Sequence, residues 1–191
     1  MAATQVNPTR MELTKTKKKL VTARRGHKLL KDKRDELMRQ FLELVKENMA
    51  LRKKVEAGIL SANKNFVIAK AGMDEATLNT ALMAPKQEVN LNVEQKNVMS
   101  VDIPVYETKT RTADVNDIYS YGFAFTSSDL DGAVKSLADI LPDMLKLAET
   151  EKACQLMAAE IEKTRRRVNA LEHVTIPEAQ ETIKYITMKL D

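Results

Sequence analysis

Residues 13–62 read LTKTKKKLVTARRGHKLLKDKRDELMRQFLELVKENMALRKKVEAGILSA. Alternating steps of three and four through them reach Leu13, Thr16, Leu20, Ala23, His27, Leu30, Arg34, Leu37, Phe41, Leu44, Asn48, Leu51, Val55, Gly58 and Ala62. Ten of these fifteen residues are apolar. The alternation is a period of 3.5, the seam of a left-handed coiled coil rather than the broader face of a globular helix. No proline interrupts it. About 50 residues of helix extend about 75 Å at 1.5 Å per residue, whereas helices in compact domains average about 11–12 residues. A seam this long needs cover. His27, Arg34 and Asn48 lie on it, and buried polar residues there would set register at some cost in stability.

The cover is expected from the other end of the chain. Val134, Leu137, Leu141, Met144 and Ala148 form a helical pattern that slips between Ala148 and Cys154. It resumes at Cys154, Met157, Ile161, Val168 and Leu171 and ends at Ile183, Ile186 and Leu190. Ser128-x-x-Asp131 is expected to open this helix as a variant capping box, with Asp129 and Asp131 at the positive end of its dipole. Pro142 should loosen the early turns. Pro177 cannot donate to the carbonyl of His173, which predicts a kink there.

Between the two patterns the period changes. Gly72 and Pro85 are breakers. Val101, Ile103 and Val105 alternate with polar residues, as do Tyr121, Phe123 and Phe125, and both runs read as strands. They are expected to pair as a hairpin with Glu107–Asp117 as its long loop. A lone hairpin is marginal in water, so it should lean on helix or on another protein.

The expected fold is therefore mainly α, a long antiparallel two-helix coiled coil from the N- and C-terminal segments with a small β-hairpin head in the middle of the chain. Residues 1–9 form an N-terminal arm, with Asn7 or Thr9 as N-cap of the first helix. Residues 10–75 carry the N-terminal helix, 76–127 the head and 128–191 the C-terminal helix. The helices run antiparallel, so both termini meet at one tip.

Composition supports long helices. The 191 residues include five Gly, five Pro and no Trp, and 30% are charged. The single Cys154 excludes an internal disulfide and suits a reducing compartment. The first residues lack the apolar core of a signal peptide, and no run of 18 apolar residues exists. A cytoplasmic protein is expected. The net charge of +4 is unevenly spread: residues 1–34 hold eleven Lys or Arg against two acids.

No P-loop, dinucleotide glycine pattern or HExxH motif occurs. His27 and His173 read as seam or surface residues, Asp129 and Asp131 as caps, and Cys154 as a small helix filler. Catalytic, cofactor and metal sites are not expected. Two functional readings fit: a scaffolding or mechanical rod that engages proteins at its tip and head, or a basic coiled coil that binds nucleic acid through residues 15–34. Against the second, the basic half-helix has no aromatic residue before Phe41 to stack on bases.

Two blocks carry a family resemblance. One runs from Asn7-Pro8-Thr9-Arg10-Met11-Glu12-Leu13 through Lys17-Lys18-Lys19-Leu20 and Ala23-Arg24-Arg25-Gly26-His27-Lys28-Leu29-Leu30 to Leu37. The other is Thr164-Arg165-Arg166-Arg167-Val168-Asn169-Ala170-Leu171-Glu172-His173 with Ile176-Pro177. Both resemble signatures of the D subunit of V-type and A-type rotary ATPases, over essentially the whole chain. Residues 76–127 carry no such signature.

The resemblance implies a non-catalytic rotor axle, or central stalk, without cofactor. Its tip would insert into a hexamer of catalytic A and non-catalytic B subunits. Its other end would bind the small F subunit of the stalk and seat in a socket subunit on the membrane ring. The axle would couple ATP hydrolysis or synthesis to proton or sodium-ion transport, and would be cytoplasmic and peripheral to the membrane. Because their charge is dense on two helices that meet, Lys17, Lys18, Lys19, Arg24, Arg25, Arg165, Arg166 and Arg167 are assigned to the hexamer bore, with the three C-terminal arginines falling lower along the rod than the others. Val101, Ile103, Val105, Tyr121, Phe123 and Phe125 are assigned to the core of the hairpin head.

Overall fold

The structure, a computed structural model, describes residues 6–122 and 126–190. In chain order they form α1 (Arg10–Gly72), α2 (Glu75–Leu82), β1 (Val89–Val98), β2 (Val101–Thr110) and a 3₁₀ turn (Val115–Ile118). Then follow α3 (Ser128–Ala170), a π-helical turn (Leu171–Thr175) and α4 (Ile176–Leu190).

Thr9 caps α1. Its Oγ1 accepts from the Glu12 backbone N–H at 3.2 Å and its carbonyl from that of Leu13 at 3.0 Å. These bonds satisfy donors that a helix start would otherwise leave open. With no proline after Pro8, α1 continues for 63 residues, about 95 Å at the standard rise. None of the fifteen seam residues is exposed, and Thr16, Leu37, Val55 and Ala62 are buried.

The chain divides into two compact units: Met1–Leu42 with Met157–Asp191, and Glu43–Leu156. In the first, His27 Nε2 lies 3.3 Å from Glu172 Oε2, and Lys33 Nζ 3.4 Å from Glu160 Oε1. The partner number falls as the α1 number rises, so the helices run antiparallel. Thr16, Leu37, Met157, Ile161, Thr164, Val168 and Ile186 form the buried set.

The second unit shows the same direction. Asn48 donates to Thr150 Oγ1 at 3.4 Å, Lys54 Nζ lies 2.7 Å from Asp143 Oδ2, and Asn65 donates to Ser136 Oγ at 3.4 Å. Gly58 marks a close approach, because a Cβ there would sit 2.7 Å from Ile140 Cδ1. Gly58→Val should therefore lower stability by about 2 kcal/mol through overpacking, although valine is the better helix former. A urea titration checks this, and an unchanged midpoint would contradict the close approach. Ala69, Leu78 and Leu130 make a further cluster, with Phe66, Met73, Tyr121 and Val134 packed on it.

The apolar stripe expected on the early part of α3 is corrected. Leu137, Leu141 and Met144 remain 46%, 37% and 40% exposed. The covered line instead passes through Leu130, Ala133, Ser136, Ile140, Asp143, Leu147, Thr150 and Ala153 to Met157. It has no slip between Ala148 and Cys154: Thr150 fills that place, buried, with its hydroxyl donating to the Leu147 carbonyl at 2.9 Å. A buried hydroxyl bonded to its own helix can occupy a seam.

Three more expectations change. The hairpin is β1 with β2 in unbroken antiparallel register from Val89↔Thr110 to Val98↔Val101. Val101, Ile103 and Val105 lie in β2, but Glu107–Thr110 continues that strand rather than forming a loop. Tyr121 is outside both strands, and Phe123 and Phe125 lie outside the described residues.

The reason is the connection Met99-Ser100, with φ of 51° and 71°. Two residues with positive φ make the tight turn whose twist matches a hairpin. Neither residue is the glycine or asparagine that usually signals it.

The start of α3 also differs. Ser127, not Ser128, precedes the first helical turn, its carbonyl accepting from Leu130 N–H at 3.1 Å. Asp131 does not close a capping box but accepts from the Tyr121 hydroxyl at 2.8 Å. Pro142 stays within α3 without ending it.

Near Pro177 the ladder shifts to π bonding, with Ile176 N–H reaching the Leu171 carbonyl. The missing proline N–H two residues after this turn leaves the His173 carbonyl without its helical donor, and a π-turn is a recognised accommodation of such a defect.

Candidate partner-binding surfaces

The eight basic residues assigned to the tip are all exposed and all in the first unit. Lys17, Lys18, Lys19, Arg24 and Arg25 follow one another along α1, and Arg165, Arg166 and Arg167 close α3. The register set by His27–Glu172 and Lys33–Glu160 brings the arginine triplet level with the neighbourhood of Lys31 and Lys33. It does not bring the triplet level with Lys17–Lys19, which lie about 20 Å further along α1 at 1.5 Å per residue.

Among the described residues, Arg166 pairs with Glu162, and no ion pair is formed by the other seven. These side chains therefore project unneutralised charge from helices held by the seam. Long cations with alkyl stems can cover apolar surface and still present their heads outward.

The head region is held by polar contacts within the second unit. The Tyr106 backbone N–H donates to Glu149 Oε2 on α3 at 3.3 Å. Lys86 Nζ lies 2.5 Å from Asp117 Oδ1 and holds that carboxyl below the usual range, assisted by Thr112. Gln87 donates to the Thr112 carbonyl at 3.2 Å.

Desolvation, and then the bond to Asp131, raises the Tyr121 hydroxyl well above its ordinary pKa. The neutral phenol is thus favoured in the folded state. Its stabilising contribution is full below the ordinary tyrosine pKa of about 10 and is lost as pH rises through the folded value. Tyr121→Phe should cost about 1 kcal/mol near neutrality and should flatten the loss of stability at alkaline pH. Denaturation measured across alkaline pH checks both.

A groove of about 420 Å³ lies between the hairpin and α3, lined by residues including Val89, Thr110, Tyr119, Leu141, Pro142 and Leu145. Its charged lining is Asp114, Lys135 and Asp139, an unpaired mixture without histidine or cysteine. Among the described residues no group of three or more His, Cys, Asp or Glu is placed to hold a metal ion. Cys154 is half-buried, and burial, with Glu151 nearby, pushes its thiol up. That favours the less reactive protonated form. No helix among the described residues is long and apolar enough to cross a membrane.

Sequence reasoning missed β1 as a component of the head. Val89, Leu91, Val93 and Gln95 alternate with Asn90, Asn92, Glu94 and Lys96, which is a period-two signal. The asparagines, poor strand formers, mask it.

Comparison with known proteins supplies the remaining observation. The profile of the ATP synthase D-subunit family matches residues 12–191. The D subunit of the V-type ATP synthase of Acetivibrio thermocellus is 60% identical over the whole of this chain and 86% of its own length. The protein of that name from Thermoanaerobacter sp. strain X514 is 57% identical over the whole chain and 90% of its own length. Its counterpart in Clostridioides difficile is 58% identical over the whole chain and 86% of its own length.

Proposed function

Because the chain belongs to the D-subunit family of V-type ATP synthases, we propose that it is the central rotor axle of that complex. The observation that carries this reading is the antiparallel pairing of α1 with the C-terminal helices in both units, along a seam covered at all fifteen positions. Helices locked along their length resist bending and twisting better than one helix alone, and transmitted torque needs that resistance. The eight exposed tip cations are the contacts to the bore of the hexamer of A and B subunits. The small F subunit of the stalk and the socket subunit of the membrane ring bind elsewhere on the chain.

As the axle turns, its asymmetric charge favours a different state of each catalytic interface in each orientation. This is differential binding of conformations, and it needs no catalytic group from the axle. ATP binding and hydrolysis in the hexamer drive rotation, and proton or sodium-ion flow through the ring drives it in reverse, with synthesis of ATP. The chain itself is cytoplasmic and meets the membrane through the complex.

Co-expression with the A, B and F subunits from the same source, followed by native mass spectrometry, tests the reading. One copy per hexamer together with one F subunit is expected. A hexamer that forms without the chain, while the chain runs alone or with nucleic acid, would overturn it in favour of the basic-helix alternative.

A further inference from the structure

The two outer edges of the hairpin are not equivalent. In a hairpin with a two-residue turn, the residues flanking the turn form a hydrogen-bonded pair, and bonded pairs then alternate along the ladder. Here the flanking pair is Val98↔Val101, so Val98, Lys96, Glu94, Asn92 and Asn90 direct their backbone groups to β2. The far end agrees, because Arg111 N–H donates to the Glu88 carbonyl at 2.9 Å, on the same alternation. The N–H and C=O groups of Val89, Leu91, Val93, Gln95 and Asn97 therefore point away from the hairpin.

On β2 the outward residues are Asp102, Pro104, Tyr106, Thr108 and Thr110, and the two in the middle are guarded. Pro104 has no N–H to offer, and the Tyr106 N–H is taken by Glu149. Strand edges are commonly blunted by such devices to prevent unwanted pairing.

On β1 they are absent. The strand runs ten residues with no proline and no bulge. No described residue beyond the hairpin takes a backbone hydrogen bond from its outward groups. The side chains of the same residues share one face, where Val89, Leu91 and Val93 are 38%, 43% and 57% exposed. One acid and one base, Glu94 and Lys96, leave the strand neutral.

We propose that the outer edge of β1 is a docking site for an extended segment of another subunit of the assembled ATPase, which joins the hairpin as a third strand. The free backbone groups specify an extended occupant. The apolar face specifies apolar residues at alternate positions of that occupant, set beside Val89, Leu91 and Val93. Pairing of this kind takes its affinity from main-chain bonds and its specificity from alternate side chains. Because β1 is neutral, the join is insensitive to salt, unlike contacts made by the basic tip. A third strand also supplies what a two-stranded ribbon lacks for stability. The proposal rests on membership of the assembled complex.

Residue-resolved hydrogen exchange tests it on the free chain and on the assembled complex. Asn90, Asn92 and Glu94 amides should be protected in both. Leu91, Val93 and Gln95 amides should exchange freely in the free chain and about 100-fold more slowly after assembly.

Leu91→Pro deletes one outward donor, and proline is tolerated at an edge position whose N–H faces outward. In the assembled variant, protection at Val93 and Gln95 should be lost while that of Asn92 and Glu94 persists, which shows the hairpin intact.

Outward amides that exchange as fast in the complex as in the free chain would overturn the proposal and leave the rotor assignment standing. Outward amides already protected in a free chain that runs as a dimer would also overturn it, because a second copy would then be the occupant. Failure of the chain to enter any complex would overturn the rotor assignment and this proposal with it.

Discussion

Leu37→Asp should unfold the unit formed by Met1–Leu42 and Met157–Asp191, and Leu37→Ala should leave it folded but weaker by about 3 kcal/mol. Leu37 is wholly buried. The antiparallel register puts it level with the turn that carries Met157 and Ile161, within the buried set that includes Thr164. The alanine variant loses the transfer energy of the removed carbons and leaves a cavity.

The aspartate variant would bury a charge with no cation placed to receive it. Lys33 is held by Glu160, and Arg34 by Asp35 at 2.7 Å. An uncompensated buried carboxylate costs several kcal/mol, a large share of the total stability of a typical domain. Circular dichroism during urea unfolding distinguishes the two variants. A cost below about 1 kcal/mol for Leu37→Ala would mean that the seam is not packed at this position.

Neutralising the eight proposed bore contacts should have the largest functional effect. Replacing Lys17, Lys18, Lys19, Arg24, Arg25, Arg165, Arg166 and Arg167 by glutamine leaves the fold intact, because every one is exposed. Glutamine is as good a helix former as lysine or arginine, so helicity should be unchanged. Seven of these charges have no ion-pair partner among the described residues. Each such contact contributes about 0.2–1 kcal/mol at an exposed interface, so together they account for about 3 kcal/mol.

Affinity for the hexamer should therefore fall on the order of 100-fold, since each 1.4 kcal/mol is tenfold. The salt dependence of wild-type assembly should largely disappear in the variant. Titration of fluorescent chain into preformed hexamer at two ionic strengths measures both. Unchanged affinity and unchanged salt dependence would remove the bore assignment.

The α1 helix was readable from residues 13–62 because its evidence is local. One apolar stripe repeats at a period of 3.5, no breaker follows Pro8, and Thr9 stands ready to cap. Such a pattern favours helix whatever its partner is, and all fifteen seam positions are covered in the structure. The basic block and the two signature sequences are equally properties of the linear chain, and they sufficed to indicate the family.

The partner seam depended on contacts between distant residues. The early part of α3 offers two stripes, one through Leu137, Leu141 and Met144 and another through Ile140, Leu147 and Thr150. Hydrophobicity favours the first, but α1 packs on the second, where Gly58 admits Ile140 and Asn48 meets the Thr150 hydroxyl. Two polar partners on separate helices can satisfy one another only after the helices meet.

The hairpin was hidden for a related reason. Met99 and Ser100 adopt positive φ without being the residues that favour it, so pairing of the flanking strands overrides local preference. Sequence by itself determined the long helix, the charge asymmetry and the family, because each is carried by near neighbours or by composition. Tertiary structure alone decided which face of α3 is buried, which strands pair, and which edge of that pair is left open, because those outcomes depend on groups far apart in the chain.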